Sequence, residues 1–134
     1  RLCGWFLEKT EQEATRHLVR ERVIKPLIPS SQGGGSPDAG AIRAARANIK
    51  QHLKYVNWLA GTRNWLAGER LSYADLAAAA SLSVLDYLGE IDWSGNPAAK
   101  EWYTRVKSRP AFRPLLADRV RGLMPAAHYA DLDF

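Results

Sequence analysis

The sequence predicts an all-α domain, a bundle of about five helices around one core, and three observations carry that reading. Apolar residues recur at three- and four-residue spacing through most of the chain, the period of a helix with one face against a core. No stretch alternates apolar and polar residues as a half-buried strand would. Ser72 and Asp75 form an S-x-x-D pattern directly before an alanine-rich run, which signals a capped helix start. At 134 residues, 46% of them hydrophobic, the chain is long enough to enclose such a core.

The first helix is expected from Arg1 to about Ile28, with Leu2, Trp5, Phe6, Leu18, Val19, Val23, Ile24 and Leu27 on its apolar side. Gly4 and the polar stretch from Lys9 to Thr15 weaken the pattern and predict a bend. Pro26 and Pro29 end the helix, because proline cannot continue the hydrogen-bond ladder. Ser30-Ser-Gln-Gly-Gly-Gly-Ser-Pro37 then reads as a flexible helix–helix loop over about residues 30–38. Its glycines follow no strand and precede no Gly-Lys-Ser, so they do not read as a phosphate cradle.

A long second helix is expected from about Asp38 to Leu59, with Ile42, Ala45, Ile49, Leu53, Val56 and Leu59 on one face. Arg43, Arg46, Lys50 and Lys54 fall largely on the other. Trp58, Trp65 and Leu66 supply apolar area around a tight turn containing Gly61. The capped helix runs from Tyr73 to Leu88. A Ser72 hydroxyl at its N-cap accepts a backbone N–H of the first turn, and the Asp75 carboxylate reaches back to the N-cap N–H. Asp75 also places negative charge where the helix dipole favours it. Leu76, Ala79, Ala80, Ser83, Val84 and Tyr87 recur at helical spacing, and the alanines imply burial on more than one side. Pro97 suits the first position of a further helix with Trp102, Tyr103 and Val106 facing inward. Arg109-Pro-Ala-Phe112 ends it and starts a short helix through Leu123.

Several function classes are disfavoured. The net charge is +5, and residues 1–70 hold 12 lysines and arginines against 6 acidic residues. These charges are interleaved, with no run of five of one sign and no nucleic-acid motif, so solvated helix faces explain them and no nucleic-acid partner is expected. No apolar run approaches the ~20 residues of a membrane span, so no membrane insertion is expected. The single Cys3 forms no internal disulfide and reads as a small buried hydrophobe. His17, His52 and His128 lack metal-ligand spacing, so no metal site is expected, and His52 reads as a packed or surface histidine. Asp75 and Asp86 are eleven residues apart, about three turns, and Asp75 is better used by the cap. No residue has a persuasive acid, base or nucleophile role, so no catalytic residue is assigned to this domain.

The order of parts resembles the C-terminal domain of glutathione S-transferases along almost the whole chain. The residues that carry the resemblance are Trp65-Leu-Ala-Gly-Glu-Arg-Leu-Ser72, the Ala74-Asp-Leu76 helix start and the Arg109-Pro-Ala-Phe112 junction. The resemblance implies that an N-terminal thioredoxin-like domain binds and activates glutathione. No βαβ pattern of that kind occurs here, and the chain starts at Arg1 within a helical pattern. Residues 1–134 are therefore expected to be the C-terminal-like domain alone. It would supply the wall of an electrophile pocket and, from its first two helices, much of a homodimer interface.

The tail, residues 125–134, adds a second resemblance. Pro125-Ala-Ala-His-Tyr-Ala-Asp-Leu-Asp-Phe134 is similar to the end of the FzlA family of alphaproteobacterial transferase-like proteins. That resemblance implies a cytoplasmic, homodimeric, non-catalytic factor at the division site that binds FtsZ filaments and regulates their curvature and constriction. It requires no cofactor. Tyr129, Leu132 and Phe134 are large apolar groups beside Asp131, Asp133 and the terminal carboxylate. One reading makes Tyr129, Asp131, Leu132, Asp133 and Phe134 a recognition patch for FtsZ. The other has the aromatic groups fold back over the domain's own helices. The competing function is a glutathione transferase acting on hydrophobic electrophiles, for which glutathione would be required.

Overall fold

The computed structural model describes residues 1–134 and contains four long helices and no β-strand. They are α1 (residues 2–27), α2 (Ala39–Thr62), α3 (Tyr73–Tyr87) and α4 (Pro97–Lys107). Helix α1 packs against α2 and α3, and α4 closes the bundle against both of those. Leu18, Leu53, Val56, Leu59, Leu82, Leu85, Trp102 and Val106 meet in one core.

Helix α1 is unbroken through the stretch where a bend was expected. Its backbone stays right-handed at each junction between α-wound segments and the π-wound segments Trp5–Thr15 and Arg20–Ile24. Wider π turns interleaved with α turns keep residues four apart nearly in line. Phe6, Thr10, Ala14 and Leu18 thus form one buried row straight through the stretch that looked polar. Ile24 and Leu27 lie outside that row and stay exposed. Cys3 is half-buried in the first turn instead of buried.

Helix α2 begins on Asp38, whose Oδ1 accepts the N–H groups of Gly40 and Ala41 at 2.9 and 3.1 Å. It extends three residues past Leu59, so Gly61 is helical and the turn follows Thr62. Trp58 stays exposed, whereas Leu66 is fully buried. His52 is a packed histidine. Its Nδ1 lies 3.0 Å from Thr10 Oγ1 and its Nε2 lies 3.0 Å from Glu13 Oε2, joining α2 to α1.

The capping box at α3 forms. Ser72 N–H donates to Asp75 Oδ2 at 2.9 Å, and the Ser72 hydroxyl accepts from the first turn, including Ala74 N–H at 3.2 Å. The other carboxylate oxygen of Asp75 accepts from Leu66 N–H and the Trp102 indole. Those bonds set the rotation of α3. Asp75, Ala79, Leu82 and Asp86 face the interior, while Leu76, Ala80 and Val84, expected to pack, lie on the outer side. Periodicity alone could not choose between these two adjacent apolar rows.

Helix α4 starts at Pro97, and Asn57 Oδ1 of α2 accepts the Ala99 N–H at 2.9 Å, in place of a cap from Asn96. The short helix expected through Leu123 is a single 3-10 turn, Arg113–Ala117. Pro114 sits in its first turn, where a missing N–H is tolerated, and the turn ends at Asp118, whose backbone is extended.

Candidate partner-binding site

Beyond the 3-10 turn the chain doubles back across the ends of α3 and α4. Tyr87 anchors this return three ways. Its hydroxyl accepts from Val120 N–H and donates to Leu123 O, and its carbonyl accepts from Ala126 N–H at 3.0 Å. The tail then winds into tight turns, with Tyr129 N–H donating to Ala126 O and Asp131 N–H to His128 O. Tyr129 sets its ring edge against Tyr87, with centroids 5.0 Å apart. Phe134 packs edge-on against Trp93 and Tyr103 and stacks on the His128 imidazole.

The five expected recognition residues therefore divide. Tyr129 is buried, and burial, followed by the charge of Asp86, pushes its phenol up. Leu132 and Phe134 are half-buried against the core. Asp131 and Asp133 are exposed, and Asp131 Oδ1 accepts the Asp133 N–H at 2.9 Å. The tail thus folds back on its own helices while presenting two carboxylates outward.

Beneath it lies a polar cluster that the sequence reading did not assign to the site. Asp86 is fully buried, and its Oδ1 accepts from the Trp93 indole at 2.8 Å and lies 2.7 Å from His128 Nε2. Its Oδ2 has no partner. Lys107, also fully buried, donates from Nζ to the backbone carbonyls of Asp131 at 2.7 Å and His128 at 3.4 Å. The same ammonium stands 4.1 Å from the centroid of the Phe134 ring, a favourable cation–π placement. Burial pulls the Lys107 ammonium below its usual range, against the opposing charges of Asp86 and Asp131. One signal was available in the sequence: Lys107 lies four residues after Tyr103, on the apolar face of α4.

An apolar cleft of about 280 Å³ opens beside the tail. Val19 and Val23 of α1, Val84 and Tyr87 of α3, Leu115 and Leu123 line it, with Asp118 and Arg119 among its polar groups. It can take a small hydrophobic molecule, but its lining brings no thiol or imidazole with which to attack one. No group of three or more His, Cys, Asp or Glu side chains is placed to hold a metal ion. No helix is long and apolar enough to cross a membrane.

The family model described as "Glutathione S-transferase, C-terminal domain" matches residues 23–110. The chain belongs to that family. Among proteins similar to this transferase-family domain is FtsZ-localized protein A of Caulobacter vibrioides, 51% identical over 134 residues. The similarity covers all of this chain and 57% of that protein, so the chain spans little more than half the length of that relative. A crystal structure of a glutathione S-transferase from Sinorhizobium meliloti 1021 is 66% identical with a TM-score of 0.96, over all of this chain and 58% of that one. The structure of FzlA from C. crescentus is 51% identical with a TM-score of 0.91, over all of this chain and 57% of that one. The capping box and the helices from α2 to α4 thus lie within the stretch that matches the glutathione S-transferase C-terminal domain.

Proposed function

We infer that this domain belongs to a transferase-like cell-division factor that binds FtsZ filaments, with the exposed carboxylates of Asp131 and Asp133 among the contacting groups. The observation that carries this reading is the 51% identity to FtsZ-localized protein A, which runs through all 134 residues, tail included. The whole protein would act as a homodimer at the division site in the cytoplasm, without a cofactor, shaping filament curvature and so constriction. Carboxylates on a rigid support suit a basic surface on the partner, where charge complementarity sets orientation and association rate. Co-sedimentation of the full-length protein with polymerised FtsZ tests the reading. Pelleting with filaments, and none without them, supports it; a protein that stays in the supernatant contradicts it.

A second reading has its own support in the apolar cleft and in solved relatives described as glutathione S-transferases. On that reading the full-length protein conjugates glutathione to a hydrophobic electrophile, and this domain supplies the wall that holds the electrophile. Glutathione-dependent conjugation of a chloronitrobenzene substrate, with no filament binding, would favour it.

A further inference from the structure

We propose that Asp86, His128 and Lys107 form an internal lock that holds residues 125–134 as a preset ridge, and that partner binding through Asp131 and Asp133 requires this docked form. The inference deepens the filament-binding reading and rests on it for the identity of the partner.

The contacts divide between those that hold the tail and those left for a partner. Lys107 grips the tail by the backbone carbonyls of His128 and Asp131, so the Asp131 carboxylate stays outside. That carboxylate is exposed, and it fixes the last turn by accepting the Asp133 N–H. From α3, Asp86 reaches the tail through the His128 imidazole, and that ring in turn stacks on Phe134 with centroids 5.7 Å apart. One oxygen of Asp86 carries both of its bonds while the other is orphaned, so losing His128 leaves a buried carboxylate with the Trp93 indole alone. A buried charge stripped of a partner is costly, which couples the core's electrostatics to the docked tail. A short segment at the edge of a domain otherwise frays, and ordering it would then be charged against partner binding. A lock built into α3 and α4 removes that ordering cost beforehand. Asp86, His128 and Lys107 are accordingly positioning residues that do not touch the partner.

The test uses the full-length protein with two readouts, amide hydrogen exchange over residues 128–134 and co-sedimentation with FtsZ filaments. His128→Ala and Lys107→Met should speed exchange in the tail by about tenfold or more while α3 stays protected, since only the local opening changes. Both should weaken filament binding by about tenfold, as expected when a preorganised contact must be reordered. His128→Gln, whose amide can still donate to Asp86, should restore part of both. Asp133→Lys, whose exposed carboxylate holds no part of the tail, should weaken binding without changing exchange. Asp86→Asn is the most direct variant, and the His128 and Lys107 changes keep the proposal testable if that buried substitution prevents folding. Unchanged tail exchange in both His128→Ala and Lys107→Met would overturn the lock. Fast exchange with undiminished binding would overturn the requirement for docking. Wild-type protein that never pellets, with tail exchange that quickens in His128→Ala and Lys107→Met, would remove the filament partner and the presentation role while leaving the lock itself demonstrated.

Discussion

Asp75 accepts the indole N–H of Trp102 through Oδ1 at 2.8 Å, and the same oxygen takes the N–H of Leu66 at 2.9 Å. Its other oxygen closes the capping box. One fully buried carboxylate therefore joins the turn after α2, the start of α3 and the middle of α4. Removing it strands two buried donors as well as the cap, and each buried orphan costs about 1–3 kcal/mol. Asp75→Ala should destabilise the domain by about 3 kcal/mol or more, whereas Ser72→Ala should cost about 1 kcal/mol. Urea unfolding of both variants checks the ranking. Equal losses would mean that Asp75 serves only as a cap residue.

Glu90 predicts an acid limb to the stability profile. It bridges Arg22 of α1, at 2.7 Å, and Arg46 of α2, which binds both carboxylate oxygens. Burial pushes its carboxyl up, but the Arg46 hydrogen bonds and charge, joined by those of Arg22, outweigh burial and hold it below the usual carboxylate range. A carboxyl lowered on folding contributes stability that is present above its unfolded value, near 4.5, and lost as pH falls through its folded value. Wild type should lose stability below about pH 4.5 that Glu90→Gln does not lose. At pH 7 the variant should be weaker by about 1 kcal/mol, a modest figure because Arg46 is half exposed. Parallel pH profiles for the two proteins would contradict this.

Two glycines should respond in opposite ways to alanine. A Cβ on Gly34 would lie 1.9 Å from the backbone carbonyl oxygen of Ile28, so the loop after α1 must shift to admit it. At Gly4, within α1, a Cβ meets nothing within 4 Å. Gly34→Ala should lower the melting temperature, and Gly4→Ala should raise stability by about 0.5–1 kcal/mol through helix propensity. Calorimetry on the two variants decides it.

The elements were legible where a local signal coincided with periodicity. The Ser72–Asp75 box marked α3, and Pro97 marked the start of α4. The inner row of α2, from Ala45 to Leu59, could be read directly from spacing. Rotation about an axis was not legible. Leu76 and Val84 look as apolar as Ala79 and Leu82, and only the long-range bonds of Asp75 and Asp86 choose which row faces inward. The π winding was hidden too, and the polar look of residues 9–15 masked a buried row of α1 that passes through Thr10 and Ala14. In the tail, the acidic and aromatic residues were identifiable by type. Their division into docked rings and outward carboxylates depends on Asp86 and Lys107, more than twenty residues away in sequence.

The tail's outward charge gives the most direct test of the functional reading. Asp131 and Asp133 are exposed, and their carboxylates accept no bond from α3 or α4, so Asp131→Lys with Asp133→Lys should leave the melting temperature within a few degrees of wild type. Co-sedimentation of full-length wild type and this double variant with FtsZ filaments is the measurement to make. Wild type should pellet with filaments, and the variant should bind about tenfold more weakly, as expected when charge is reversed at an interface. Equal pelleting by both, or wild type left in the supernatant, would contradict it.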